Sequence, residues 1–78
     1  MRKKMSVYGR LLYNASNQFG QPWYWNVASY GNHEELARSS ETYKNRADCI
    51  HCYDLVVDRK RAPLFEFKDG KTASAVTD

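Results

Sequence analysis

Residues 23–30 read WYWNVASY, and this stretch predicts a β-strand with one buried face. Successive side chains of a strand point to opposite faces of a sheet, so alternation sorts the eight residues into two groups. The groups are Trp23, Trp25, Val27 and Ser29 on one face and Tyr24, Asn26, Ala28 and Tyr30 on the other. Because aromatic and β-branched side chains favour half-buried strands, we expect the tryptophan face to be buried.

The residues after this strand predict a hairpin. Gly31 and Asn32 accommodate positive φ angles at little cost, and with His33 they supply a turn. Residues 35–39 (ELARS) then return as a shorter strand beside the first one.

A helix is predicted from Arg46 to about Lys60. Asn45 can accept a backbone hydrogen bond as the N-cap residue, and the negative charge of Asp48 suits the first turn. Helical spacing sorts the side chains into a stripe that faces the core and a stripe that faces away from it. The core stripe holds Cys49, Ile50, Tyr53, Val56 and Val57, and the opposite side holds Ala47, His51, Asp54 and Asp58.

Two further strands complete the predicted fold. Residues 7–13 (VYGRLLY) precede a polar loop, and residues 64–68 (LFEFK) follow Pro63, which cannot continue a helix. Residues 1–5 and 71–78 have little to bury and are expected to be frayed termini of a single domain spanning 1–78. The expected fold class is α+β, an antiparallel sheet with one packed helix in the order β-β-β-α-β.

Length and charge limit the classes of protein. A chain of 78 residues buries a modest share of its surface, so help from a second subunit is plausible. The net charge of +3 comes with two basic clusters, residues 2–4 (RKK) and the run Arg59, Lys60 and Arg61. The second cluster has two interpretations, attraction of nucleic acid or an acidic protein surface, and favourable interaction with the negative end of the helix.

The start of the chain is basic but no continuous apolar stretch follows it. The sequence therefore predicts neither a secretion signal nor a membrane span. We expect a cytoplasmic protein that has no membrane partner and whose two cysteines stay reduced.

Residues 49–52 read CIHC, a pattern that raises the question of a metal or redox site. On one helix Cys49, His51 and Cys52 point in directions too different to converge on one ion, and His33 is the only further histidine. A redox Cys pair usually begins at a helix N-terminus, whereas Cys49 lies past the first turn. Packing is the favoured interpretation, and no metal or other cofactor is predicted.

The second face of the aromatic strand has a functional and a structural interpretation. Tyr24 and Tyr30, with Arg10 and Lys44, can form a platform on which the bases of a single-stranded nucleic acid stack. The favoured alternative places both tyrosines under the helix or in a subunit interface, because no RNA-module signature is present.

Catalytic chemistry has little support in the sequence. His33, Glu34 and Glu35 are the nearest approach to an acid–base cluster, but neighbouring strand residues point to opposite faces. No nucleophile motif or phosphate-binding glycine loop occurs, so we expect a protein that is not an enzyme.

Several stretches together resemble one bacterial family of unknown function, the YegP-like family. They are WYWNV at 23–27, the turn near Asn32, ELARSS at 35–40 and TYKNRAD at 42–48 followed by Ile50. The turn order Gly31-Asn32 and the cap residue Asn45 depart from the pattern of that family. The resemblance covers about 8–68, and it implies a β3-α-β unit that pairs with a second copy by exchanging its last strand, with no enzymatic activity.

Two functional hypotheses follow. The leading one is a non-enzymatic, homodimeric protein-interaction module whose sheet is completed by a second subunit through the strand of Leu64, Phe65 and Phe67. The alternative is a basic inhibitor or adaptor, encoded by a phage or another mobile element, that binds a host nucleic-acid-processing complex; direct binding of single-stranded nucleic acid belongs to this alternative.

Overall fold

Five strands and one helix follow one another in the order β-β-β-α-β-β. The computed structural model describes residues 6–16, 20–68 and 72–78. The strands are β1 (Val7–Tyr13), β2 (Trp23–Ser29), β3 (Glu35–Arg38), β4 (Leu64–Phe67) and β5 (Ala73–Ala75), and the helix is α1 (Arg46–Val56). The α+β class is confirmed, and β1 has the predicted bounds. The predictions for residues 1–5 and the basic cluster at 2–4 lie outside the described residues.

The sheet is mixed, so the prediction of a purely antiparallel sheet is wrong. Its strand order is β3-β2-β1-β4-β5, and β4 pairs with β1 in parallel, Gly9 opposite Leu64. The two antiparallel pairings β1–β2 and β2–β3 make β3 run in the same direction as β1. A crossover helix returns the chain to the end where the preceding strand began. Therefore β4 runs like β3 and lies parallel to β1.

The C-terminal segment is a strand and not the predicted frayed tail. Phe65 of β4 lies opposite Ala75 of β5, and the amide of Val76 donates to the carbonyl of Leu64 over 2.9 Å. The Val76 side chain is buried in the core. Three small residues have little side chain to bury, but β4 offers a free edge whose backbone groups they satisfy.

The helix is shorter than predicted because its end is set by the backbone of Asp58. This residue adopts a left-handed conformation, with φ at 78°, and its amide bonds to the carbonyl of Tyr53. Such a residue ends a helix whatever its side chain. At the other end, Asn45 has the extended backbone of an N-cap, but its side chain donates to Asp48 and accepts no backbone bond.

One face of the sheet packs against α1. The shared core contains Leu11, Trp25, Val27, Cys49, Ile50, Tyr53, Leu64 and Val76. Trp25 meets the ring of Tyr53 edge to face at 5.3 Å, which fits the prediction that the tryptophan face is buried. Val56 was expected on the core stripe but is 67% exposed, whereas Val57 packs partly against the core.

The hairpin turn differs in one detail from the prediction. His33, and neither Gly31 nor Asn32, has the positive φ, at 60°. The β2–β3 pairing also shifts register beside Val27, so that Glu35 and Arg38 lie on the same face of the sheet. In the described part of the chain, the single helix is too short and too polar to cross a membrane.

Candidate functional site

The face of the sheet that points away from α1 groups aromatic, cationic and polar side chains, and we call it the open face. Pairing and alternation assign its members on four strands. They are Tyr8, Arg10 and Leu12 on β1, Tyr24, Asn26 and Ala28 on β2, Glu35 and Arg38 on β3, and Phe65 and Phe67 on β4. No element in the described part of the chain packs over them.

An aromatic cluster occupies one end of the open face. Tyr8 lies 4.8 Å from the ring of Tyr30 and 6.1 Å from the ring of Phe65, measured between centroids. The Tyr8 hydroxyl forms a hydrogen bond of 3.0 Å with Nδ1 of His33. Tyr8 is buried by these neighbours, whereas Tyr30 is 45% exposed. The outer rings therefore remain accessible on a fixed support.

A chain of polar side chains crosses the middle of the open face. Arg10 donates from Nε to Oδ1 of Asn26 over 2.8 Å, and Asn26 donates from Nδ2 to Oε1 of Glu35 over 2.7 Å. Glu35 also accepts from Nε of Arg38 over 3.0 Å. These bonds, first from Arg38 and then from Asn26, hold the pKa of the Glu35 carboxyl below its usual value. The face thus presents two guanidinium groups and one carboxylate.

The strand register orders these side chains into three rows across the sheet. The first row holds Glu35, Ala28 and Tyr8, the second holds Arg38, Asn26, Arg10 and Phe65, and the third holds Tyr24 and Leu12. Phe67 follows Phe65 by two residues on β4 and therefore extends the third row. Neighbouring rows are about 7 Å apart, because each is two residues further along the strands. Aromatic rings thus flank a cationic row on both sides.

The predicted platform residues are brought together in part. Arg10, Tyr24 and Tyr30 belong to or border the open face, so the placement of the tyrosines under α1 is wrong, whereas their placement in a subunit interface stays a prediction. Alternation puts them on the side of β2 opposite the core, which contains Trp25. Lys44 lies just before the N-cap residue of α1, outside the strands of the open face.

The three residues of the basic cluster after α1 differ in their surroundings. Arg59 donates from Nη2 to Oδ2 of Asp54 over 2.7 Å, and its Nη1 donates to the carbonyls of Val76 and Asp78. The hydrogen bonds from Arg59 hold the pKa of the Asp54 carboxyl below its ordinary value. Arg59 therefore holds the C-terminal segment against the end of α1, whereas Lys60 and Arg61 are exposed in the turn before β4.

The CIHC stretch lies on α1, with Cys49 in the core, Cys52 packed partly against it and His51 on the exposed side. Cys49 is fully buried, and burial raises the pKa of its thiol to about 12. Cys52 is half-buried and accepts a hydrogen bond of 2.8 Å from the Tyr43 hydroxyl, while His51 is exposed. Among the described residues, no group of three or more His, Cys, Asp and Glu side chains could hold a metal ion.

The sequence cluster of His33, Glu34 and Glu35 does not form one site. His33 bonds to Tyr8, and Glu35 belongs to the polar chain of the open face. Glu34 instead accepts a hydrogen bond from Nδ2 of Asn32 over 3.1 Å. The three side chains therefore have separate partners.

Described residues of the sheet and of α1 line two clefts. The larger, about 660 Å³, adjoins the open face and is lined by Asn14, Gln21, Tyr24, Arg38, Ser39, Ser40, Glu41 and Thr42. The smaller, about 250 Å³, lies against α1 and is lined by Ala47, Ile50, His51, Asp54, Arg59 and Asp78. Only the larger cleft shares residues with the open face, namely Tyr24 and Arg38.

Sequence reasoning missed several members of the open face. Tyr8 was predicted to lie in a strand, but its side chain was assigned to neither face of the sheet. Alternation with the core residue Leu11 would have put it on the same face as Arg10. Phe65 and Phe67 were assigned to an intermolecular strand, but β4 pairs with β1 and β5 of the same chain. Arg38 was not singled out because the register shift in β3 that aligns it with Glu35 leaves no sequence signal.

Comparisons with protein-family models, with curated proteins and with solved structures found no match for this chain. The resemblance to the YegP-like family stays a prediction.

Proposed function

We propose that this protein is a non-enzymatic α+β domain that binds another macromolecule through the open face. The observation that carries the proposal is that Tyr24, Phe65 and Phe67 lie, with two arginines, on a face over which no described element packs. Burying such aromatic side chains favours association, and aromatic and Arg residues are enriched where proteins bind their partners.

The polar chain adds specificity to this surface. Arg10, Asn26 and Glu35 hold one another in fixed positions, so a partner meets oriented donors at little cost in side-chain entropy. A flexible polar surface would lose that entropy on binding. This pre-organisation distinguishes the open face from the exposed side chains Leu55 and Val56 on α1.

A second copy of the chain is one macromolecule that the proposal admits, and it would form the homodimer predicted from the sequence. Strand exchange through Leu64, Phe65 and Phe67 is not part of the proposal. The reason is that β4 already has neighbours on both edges, β1 and β5, and offers no free edge to a partner.

The test compares an open-face variant with a matched helix variant. Tyr24→Ser with Phe67→Ser removes two half-buried rings, and Leu55→Ser with Val56→Ser removes two exposed apolar side chains from α1. Sedimentation over a range of micromolar concentrations measures self-association, and affinity capture with and without nuclease measures other partners. We expect association to be lost only in the open-face variant. A folded open-face variant that associates like the wild type contradicts the proposal.

A further inference from the structure

The open face combines stacking surfaces with positive charge in a regular order. The first row contains Tyr8, on which the exposed ring of Tyr30 lies, and the third row contains Tyr24. Between them, the second row presents the guanidinium groups of Arg10 and Arg38. A chain-like ligand that alternates flat rings with negative charges would match this order.

We propose that the open face binds single-stranded nucleic acid, with bases stacked on its aromatic rings and phosphates on Arg10 and Arg38. The inference rests on the proposed function and specifies its ligand. Aromatic side chains on a sheet stack with any base, and cations along the groove follow the phosphate backbone.

Charge favours an anionic ligand over a second copy of the chain. The open face carries two guanidinium groups against one carboxylate, and because Arg38 binds Glu35 through both Nε and Nη2, the unpaired positive charge is that of Arg10. Arg10 uses Nε for its bond to Asn26, and within the described part of the chain no hydrogen bond engages its Nη groups. Two such faces brought together would place like charges opposite each other, whereas phosphates complement them.

Stacking favours single strands over duplexes. The rings of Tyr24 and Tyr30 can contact a base only when its flat face is free, and in a duplex that face is covered by the neighbouring base pairs. The first and third rows lie about 14 Å apart with the arginines between them, so a single strand must extend across the cationic row to place bases on both sets of rings.

The larger cleft extends the proposed path beyond the third row. Tyr24 and Arg38 belong to both the open face and the cleft. Beyond them the cleft is lined by Ser40 and Thr42, whose hydroxyl groups can donate to phosphate oxygens, and by the carboxylate of Glu41. A strand that leaves the rings therefore enters a polar cleft in which the hydroxyl groups favour a phosphate and Glu41 disfavours it.

The test uses fluorescence anisotropy with end-labelled single strands of about 12 nucleotides, DNA and RNA, and with a duplex of the same sequence. We expect micromolar or tighter binding to single strands at low salt, weakening with salt at a slope of about −0.7 per phosphate contacted. Binding to the duplex should be several-fold weaker, because its bases are covered.

Three variants separate the parts of the site. Tyr24→Ser should weaken binding roughly tenfold through lost stacking. Arg10→Gln keeps a donor for Asn26 but removes the charge, so it should weaken binding and lower the salt slope by about one phosphate contact. Lys60→Gln removes one exposed charge from the turn after α1 and should change affinity less than about twofold.

Three results would overturn this inference. They are no binding of the wild type to single strands at low salt, equal affinity for the duplex, and equal weakening by Lys60→Gln and Arg10→Gln. The proposed function fails separately. If oligonucleotides do not bind but the Tyr24→Ser, Phe67→Ser variant loses self-association or a nuclease-resistant partner, the open face is a protein-binding surface and the inference of nucleic acid alone is wrong.

Discussion

At Gly9, α1 packs against the sheet with no room for a side chain. It lies on β1 directly under the ring of Tyr53, whose hydroxyl donates to the buried carbonyl of Ala62 over 2.7 Å. A β-carbon at position 9 would lie 2.5 Å from ring atoms Cε1 and Cζ of Tyr53, closer than atoms in contact can approach. The absence of a side chain at Gly9 therefore lets α1 approach the sheet.

Gly9→Ala should lower the free energy of unfolding by about 1–3 kcal/mol, because the ring and the helix must move. Gly31→Ala is the matched control, since its β-carbon would have only an ordinary contact, 3.6 Å from Oγ of Ser29. Urea unfolding measures both. Equal stabilities of the two variants would show that α1 does not pack on Gly9.

The two cysteines should differ in reactivity. Cys49 is buried and its thiol pKa is raised to about 12 by desolvation, with a smaller contribution from Cys52, so the reactive thiolate is scarce at neutral pH. In the folded protein, an alkylating reagent should modify Cys52 and reach Cys49 only after denaturation. Mass spectrometry of the digested protein gives the order of modification. If Cys49 were alkylated before Cys52 in the folded protein, the CIHC stretch would again be a candidate reactive site.

At the scale of elements, β5 and the last residues are held against the rest of the fold by two arginines. Arg46, in the first turn of α1, donates to Glu66 over 2.9 Å and to Asp78 over 2.5 Å. Arg59 binds the backbone of the same segment. The hydrogen bond from Arg46 is the first cause that holds the pKa of the Asp78 carboxyl below its usual value. The C-terminal segment is therefore part of the folded unit.

Arg46→Met should lower the free energy of unfolding by about 2–3 kcal/mol, because the Glu66 carboxylate, with 11% of its side chain exposed, loses its cation. Arg38→Met breaks an ion pair in which Arg38 is 65% exposed, and should cost less than about 1 kcal/mol. Chemical denaturation compares the two. If both variants lower the free energy of unfolding by the same amount, the ion pair between Arg46 and Glu66 contributes no more than an exposed surface pair.

Hydrogen exchange tests whether the C-terminal strand is formed in solution. The Val76 amide donates to the Leu64 carbonyl beside a buried side chain, so we expect it to exchange slowly. An amide in a frayed terminus exchanges at nearly the unfolded rate. Exchange of Val76 at that rate would restore the sequence prediction of a frayed tail.

Local sequence patterns predicted some boundaries of the strands and the helix and missed others. The composition of residues 7–13 and the polar loop after them were sufficient for the bounds of β1, and Asn45 marked the start of α1 correctly, since local backbone preference decides both. The end of α1 and the existence of β5 were missed. The first depends on the left-handed backbone of Asp58 and the second on a neighbouring edge, and neither is encoded in a local pattern.

At the scale of the whole molecule, the core links stability to alkaline pH. Burial raises the pKa of the Cys49 thiol from 9.0 to about 12 and that of the Tyr53 hydroxyl from 10.0 to about 12. Above about pH 9 the unfolded chain loses these protons while the folded chain keeps them, which lowers the free energy of unfolding. The stabilisation is complete below the unfolded pKa values and disappears as the pH rises to about 12.

Urea unfolding between about pH 8 and pH 11 should therefore show a steady loss of stability. Cys49→Ala removes one of the titrating groups, which also include the Tyr43 hydroxyl, whose pKa is raised by its hydrogen bond to Cys52, so the stability of the variant should decline less steeply than that of the wild type. A free energy of unfolding that stays constant over this pH range would mean that neither Cys49 nor Tyr53 is desolvated in solution.

By itself, the sequence determined the α+β class, the start of the helix, the strand cores and the burial of Trp25 and Cys49. These depend on periodicity and on preferences that act over a few residues. Only the tertiary structure decided that β4 lies beside β1, that β5 exists, and that aromatic rings and arginines from four strands share one face. Those features depend on which strands become neighbours, and that is settled by the crossover of α1 and by burial of the core as a whole.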